Sequence, residues 1–289
     1  MTLRTVPAVT SDLRALATRC HRSLETIHTV GYFAPEPKAA YVALGLHEQL
    51  AYFPARAAAM GWASAELTAA TFYVFNPTLV AYVLPAAWET ASPERVVAAR
   101  RAGVGAALHR VLGDPDVTEA LDLARTACAG LSLPARPLYA AHASLTEPAE
   151  PLTALWHTAT LLREHRGDGH LATLVLADLD PVPALLLHGL SSGMLPFLKA
   201  TRGWPAEAWS DAAGVLRERG LVTSGEEPTL TEAGTALKAE IEEQTLTAAM
   251  AGWEHLGAQG CTRLDELVSP LRKALQGSDI FPKALASQR

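Results

Sequence analysis

Two stretches of this chain carry the same helix punctuation at a constant offset of 104 residues, and that repeat restricts the fold more than any other feature. The first places Ser64 before an apolar stretch that runs to Asn76-Pro77; the second places Asp168 before one that runs to Asp180-Pro181. Ser, Asn and Asp offer side-chain oxygens to the orphan backbone N–H groups of a helix start, and proline is pre-shaped for the first helical position. Each copy then crosses an apolar helix to a second start signal. In the first copy it is Ser92-Pro93-Glu94, opening a helix to about 112; in the second it is Trp204-Pro205-Ala206-Glu207, opening one that Gly220 stops. Four matched marks predict a tandem duplication of a helical unit.

The rest of the chain fits a helical reading. Of its 289 residues, 49% are hydrophobic and only 6% aromatic, and Ala and Leu, the best helix formers, are abundant. A first amphipathic helix over 11–30, capped by Ser11 or Asp12, is expected to stop at Gly31 before Pro35 and Pro37. A second covers 38–52, and Asp114-Pro115-Asp116 starts another that runs to about 129. The proline-rich connection that follows (Pro134, Pro137, Pro148, Pro151) places a boundary between units 1–147 and 148–289. Only the second unit continues into strands: 221–223, a turn over 224–228, then 229–230. Thr231 next caps a helix over 232–250, a last helix covers 263–275, and the tail after Pro282 is loose. The predicted fold is therefore mainly α, with tandem winged-helix-like repeats. The first repeat is degenerate and the second carries a short β-hairpin wing.

Here the residues carry a resemblance. Leu216-Arg-Glu-Arg-Gly220-Leu-Val222 and Leu230-Thr-Glu-Ala-Gly234 resemble the recognition-helix end and post-wing helix of MarR-type regulators. Tyr32-Phe33-Ala34-Pro35-Glu36, Phe72-Tyr-Val-Phe-Asn-Pro77 and Glu164-His-Arg-Gly-Asp-Gly-His170 are similar to an actinobacterial helix-turn-helix, or SalK-like, family of specialised metabolism. The resemblance implies the fold and carries little functional knowledge.

Charge weighs against nucleic acid as the partner. The net charge is −6, with no Lys/Arg cluster longer than Arg100-Arg101, whereas phosphate binding calls for a basic patch. The predicted recognition helix opens with Trp204, Ala206, Ala208 and Trp209, where base-reading side chains belong, and the wing tip carries Glu226-Glu227. Three scattered cysteines (Cys20, Cys128, Cys261), no leader-like start and no apolar run of about 18 residues predict a cytoplasmic protein without a membrane partner. A P-loop, a dinucleotide fingerprint and G-x-S-x-G are all lacking, so no cofactor is expected.

The densest chemistry lies at Glu164-His165-Arg166-Gly167-Asp168-Gly169-His170. One account is a tight helix–helix corner, with Gly167 as C-cap and Asp168 as the next N-cap. That leaves Glu164, His165 and His170 unexplained. A histidine at a helix N-terminus is held neutral, which suits a general base. The spacing matches no zinc signature, and no metal site is expected. The candidate catalytic set is His170 as base with Glu164 or His165 to orient it. Candidate ligand contacts are Arg166 as anion clamp, Glu36 (or a helix cap), His28 (or a core histidine), Arg56 (or an internal ion pair) and His157. The expected function is a repurposed winged-helix protein that binds a small, largely apolar metabolite in an inter-domain cleft, with acid–base catalysis as a further step. The alternative is a ligand-responsive regulator of the MarR type. A homodimer through a terminal helix such as 232–250 accompanies either.

Overall fold

The computed structural model describes residues 11–281 apart from Glu226. The side chain of Ser11, expected as a cap, the acidic tip residue Glu226 and the tail from Pro282 lie outside what is described. Within them the chain is helical throughout. In order come α1 (Ser11–Phe33), α2 (Pro35–Ala43), α3 (Tyr52–Ala57), a 3₁₀ turn (Ala58–Met60), α4 (Ala65–Phe72), α5 (Pro77–Thr90) and α6 (Pro93–Leu112). There follow α7 (Thr118–Ala129), α8 (Pro137–Ala143), α9 (Pro151–Leu176), α10 (Pro181–Ser192), α11 (Leu195–Thr201), α12 (Ala206–Glu218) and α13 (Glu232–Gln276). Where a two-stranded wing is expected, the described residues hold no strand, only an isolated antiparallel bridge between Val222 and Leu230. No single helix among them is long and apolar enough to cross a membrane.

Several expected helix starts form as read. Ser64 accepts from the Leu67 amide, Asn76 from Thr78, Ser92 from Arg95 and Thr231 from Gly234. Asp180 occupies its cap position without a side-chain bond. Several boundaries move. Helix α1 runs past Gly31 to Phe33, because Gly31 is a packing glycine: a Cβ there would meet Val104 Cγ2 at 3.3 Å and Trp156 at 3.5 Å. Helix α2 starts at Pro35 rather than residue 38, since prolines in a first turn surrender no helical hydrogen bond, and it ends at Ala43 rather than near residue 52, short of Gly45 in a left-handed conformation (φ 90°). The helix expected over 232–250 continues, with a break at Gly257 (φ 75°), to Gln276.

The largest correction concerns the corner. Helix α9 passes straight through Glu164–His170, so Gly167 is no C-cap, Asp168 is no N-cap of its own helix, and His170 stands mid-helix. The glycines serve close approach instead. A Cβ at Gly167 would lie 2.7 Å from Arg163 Nη1, and one at Gly169 would lie 2.1 Å from Arg136 Nη1. Arg136 is thereby laid across the helix, donating to the His165 and Ala248 carbonyls at 3.0 and 2.8 Å. The Asp168 carboxylate accepts the Leu138 and Tyr139 amides at 3.1 and 2.9 Å, and so caps α8 rather than its own helix.

The main core joins α1, α6, α7, α9 and α13 through Leu24, Ile27, Leu108, Leu155, Trp156, Trp253 and Leu264. A second core gathers Leu185, Leu187, Trp209, Leu216 and Ile241 around α10 and α12. A third holds Phe53, Phe72, Phe75, Leu84 and Leu138. The loop after α4 docks on the second: Tyr73 Oη donates to the Leu179 carbonyl at 2.7 Å, and Trp204 Nε1 to that of Val74 at 2.9 Å. Helices α2 and α6 touch backbone to backbone at Gly103, where a Cβ would sit 2.5 Å from Pro37 Cα. Gly103→Ala is expected to lower stability by about 1–3 kcal/mol, as overpacking does, measured by urea unfolding.

Candidate functional site

Helical periodicity lines up Arg163, Arg166, Gly167, His170, Leu171 and Leu174 along one stripe of α9. That stripe forms a wall of a cleft of about 320 Å³, within the size range of small-ligand pockets. Arg56 of α3 and Phe72 of α4 face it, α10 and α11 supply Leu185, His188 and Leu198, and α13 supplies Lys238, Ile241 and Glu242. Arg202, just after α11, completes it. The lining is apolar with five cations and two carboxylates, Asp168 and Glu242.

Four of the five cations are internally compensated. Arg56 grips the fully buried Glu164 with two bonds, Nε to Oε1 at 3.2 Å and Nη2 to Oε2 at 2.8 Å. Arg163 Nη1 adds a third at 2.9 Å. Glu242 takes Arg166 at 2.9 Å and also Lys238. Burial alone would raise the Glu164 pKa, but Arg56 and then Arg163 more than reverse this and hold it well below the usual carboxylate range. Arg202 differs. It has no carboxylate partner among the described residues; Nη1 reaches Thr201 Oγ1 at 2.7 Å, and Nε is buried without a partner. Its guanidinium lies 4.6 Å from the Phe75 ring centroid and 5.7 Å from that of Phe197. Burial lowers its pKa, the mark of a cation short of counter-charge.

His170 is set up as a neutral ring. Thr245 Oγ1 already donates to the Ile241 carbonyl at 2.7 Å, so it accepts from His170 Nδ1 at 2.9 Å and leaves Nε2 with the lone pair. Burial first, and Arg166 and Lys238 after it, bring the His170 pKa down to about 4 against the pull of Glu242. The direction matches the expectation, but the cause is burial rather than a helix terminus. Asp168 goes the other way: burial pushes it up to about 6, with Glu164 adding and the Tyr139 amide opposing.

Of the eight expected site residues, Arg56, Arg166 and His170 line the cleft. Glu164 lies behind it in the ion pair, so Arg56 takes the second of its two readings. His165 is buried on another face of α9, edge-on to Tyr139 at 5.1 Å. His28 is a core histidine held by Thr160 Oγ1 at 2.9 Å and Tyr32 Oη at 2.7 Å. Glu36 pairs with Arg110, and His157 is buried away from the cleft lining, its pKa lowered by burial to about 4. His170 is thus oriented by Thr245, not by Glu164 or His165. Sequence reasoning missed Arg202, Lys238 and Glu242. The last two carry an i, i+4 charge signal, whereas Arg202 carries none. No group of three or more His, Cys, Asp or Glu able to hold a metal ion comes together among the described residues.

A family model described as a helix-turn-helix family matches residues 17–282, nearly the whole chain. No curated protein and no solved structure matches it.

Proposed function

The chain belongs to this helix-turn-helix family; we propose that it binds a small organic anion with an apolar body in the α4–α9–α10–α13 cleft. Arg202 is the observation that carries this reading: a largely buried cation over two aromatic rings, lining the cleft and lacking a carboxylate of its own. Burying a charge is costly unless it is paired, and a ligand carboxylate supplies the missing partner. The leucines and Phe72 receive the apolar body. His170 Nε2 is the group placed to take a proton from a bound ligand, with Thr245 fixing its tautomer. Such a protein would act in the cytoplasm.

Calorimetric titration with 4-phenylbutyrate and its neutral amide tests this. The acid is expected to bind at least about tenfold more tightly than the amide, and Arg202→Ala to abolish most of that difference, an ion-paired hydrogen bond being worth about 1.5–3 kcal/mol. Equal affinities, or an Arg202→Ala variant that binds like the parent, would overturn it.

A ligand-responsive regulator is the second reading, favoured by the family description itself. Against it, α12 exposes Glu207, Asp211 and Glu218 beside the single cation Arg217. Arg219 is spent on the Ala177 and Asp178 carbonyls at 3.0 and 2.6 Å. That surface repels phosphates, and a gel-shift assay across genomic fragments separates the readings. A duplicated, tandem winged-helix origin belongs with the same proposal. Asn76-Pro77 and Asp180-Pro181 both open helices at the 104-residue offset, whereas Asp168 does not open one as Ser64 does. The Val222–Leu230 bridge would be the remnant of a wing kept in the second unit only.

A further inference from the structure

Four of the cleft's five cations touch a carboxylate, yet the pairing is not one for one. Glu242 serves two of them at once: Arg166 of α9, through Nη2 at 2.9 Å, and Lys238, one turn earlier in α13. Neither has another carboxylate among the described residues, so this trio carries one net positive charge. That charge is within reach of a ligand. All three side chains line the cleft and are 17–45% exposed. Arg166 uses only Nη2 and Lys238 only one N–H, and none of their remaining donors is an occluded atom.

The other charges of the wall are spent, with one exception. Arg56 and Arg163 share Glu164, and Arg163 also has Glu25 at 3.6 Å. Asp168 accepts the Leu138 and Tyr139 amides. The exception is Arg202, whose Nη2 is neither bonded nor occluded among the described residues. The cleft therefore presents two positive places, one after α11 and one between α9 and α13. His188, on the same wall, feels the charges of Lys238 and Glu242 and also that of Arg202, so both places lie near one residue of the cleft.

Resting on the reading of this cleft as an anion site, we propose that its ligand is a dianion, a small dicarboxylic acid with an apolar middle. One carboxylate pairs with Arg202. The other pairs with Lys238 and Arg166, whose shared Glu242 leaves one charge unmatched, and the middle lies against Leu171, Leu198 and Ile241. A single carboxylate would leave one of the two places unpaired in a largely apolar wall, where an unmatched charge is costly.

The probes are 4-(3-carboxypropyl)benzoate and the benzamide of the same size, titrated calorimetrically into the wild-type chain beside 4-phenylbutyrate and its amide. The diacid is expected to bind at least about tenfold more tightly than the benzamide, the gain of one charge-assisted pair. Lys238→Met is expected to remove most of that preference. Glu242→Gln, which frees both cations, is expected to strengthen diacid binding severalfold, the opposite of what loss of a merely structural contact would do. Diacid and benzamide binding alike, while 4-phenylbutyrate still outbinds its amide, overturns the dianion and leaves the single-anion reading standing. The dianion is also overturned by Lys238→Met keeping the full preference, by Glu242→Gln binding the diacid no better than the parent, or by inorganic phosphate binding as tightly as the diacid. If neither acid outbinds its amide, both readings fall together.

Discussion

Lowering the pH from 7 to 5 is expected to remove at least about 5 kcal/mol of folding stability, through histidines that the fold buries uncharged. His28, His142, His157 and His165 are all at most 3% exposed. Burial lowers their pKa values, to about 3 for His142, about 4 for His157 and His165, and well below the ordinary range for His28. The unfolded chain takes up their protons near pH 6.5 and the folded chain does not. Their contribution is therefore whole above pH 6.5 and is lost as the pH falls toward the folded values. His142, His157 and His165 each lose about 2 kcal/mol by pH 5, about 6 kcal/mol together, and His28 and His170 lose stability in the same direction. Asp168 offsets about 1 kcal/mol of this, because its pKa is raised to about 6 and acid relieves the cost of its burial. A loss of this size is comparable to the whole stability of an ordinary domain. Urea unfolding at pH 7, 6 and 5 measures it, and a midpoint that stays level over that range would show that the four rings are protonated or hydrated in the folded state.

Glu164→Ala is expected to cost about 3–5 kcal/mol, the usual penalty for stranding a buried charge. Its carboxylate is fully buried and is the only ion partner of Arg56 among the described residues, while Arg163 keeps a longer contact to Glu25 at 3.6 Å. Removing both ends in Glu164→Leu/Arg56→Met should restore more than half of the loss, since apolar groups tolerate burial where a lone guanidinium does not. Urea midpoints at pH 7 decide it; a single variant within 1 kcal/mol of the parent contradicts the reading. This effect is separable from the histidine effect. The Glu164 pKa is held well below the ordinary carboxylate value, so its contribution persists through pH 7 to 5 and fades only in stronger acid.

How much could be read in advance differs between the frame and the site. The starts of α4, α5, α6 and α13 were legible because Ser64, Asn76, Ser92 and Thr231 bond to amides two or three residues ahead. Asp168 looked the same locally and did something else. Its amide partners, Leu138 and Tyr139, are about 30 residues back, in a short helix hidden within what reads as a proline-rich connector. Gly167 and Gly169 misled for the same reason: a glycine that ends a helix and one that admits an arginine across it are indistinguishable in sequence.

At the site, the stripe from Arg163 to Leu174 follows from helical spacing only once α9 is continuous through Gly167, where a corner is expected from the sequence. The same spacing turns Glu164 and His165 about 100° and 200° away from Arg163, out of the cleft. Helical content, most helix starts and the acidic balance were thus properties of the sequence by itself, because each depends on a few neighbouring residues or on composition. Which cations keep a counter-charge was decided only by tertiary structure. Glu164 reaches Arg56 across 108 positions, Glu242 reaches Arg166 across 76, and Arg202 has no carboxylate partner among the described residues. No local pattern encodes that difference. Coulomb pairing depends on distance in space, and packing, not sequence spacing, sets that distance.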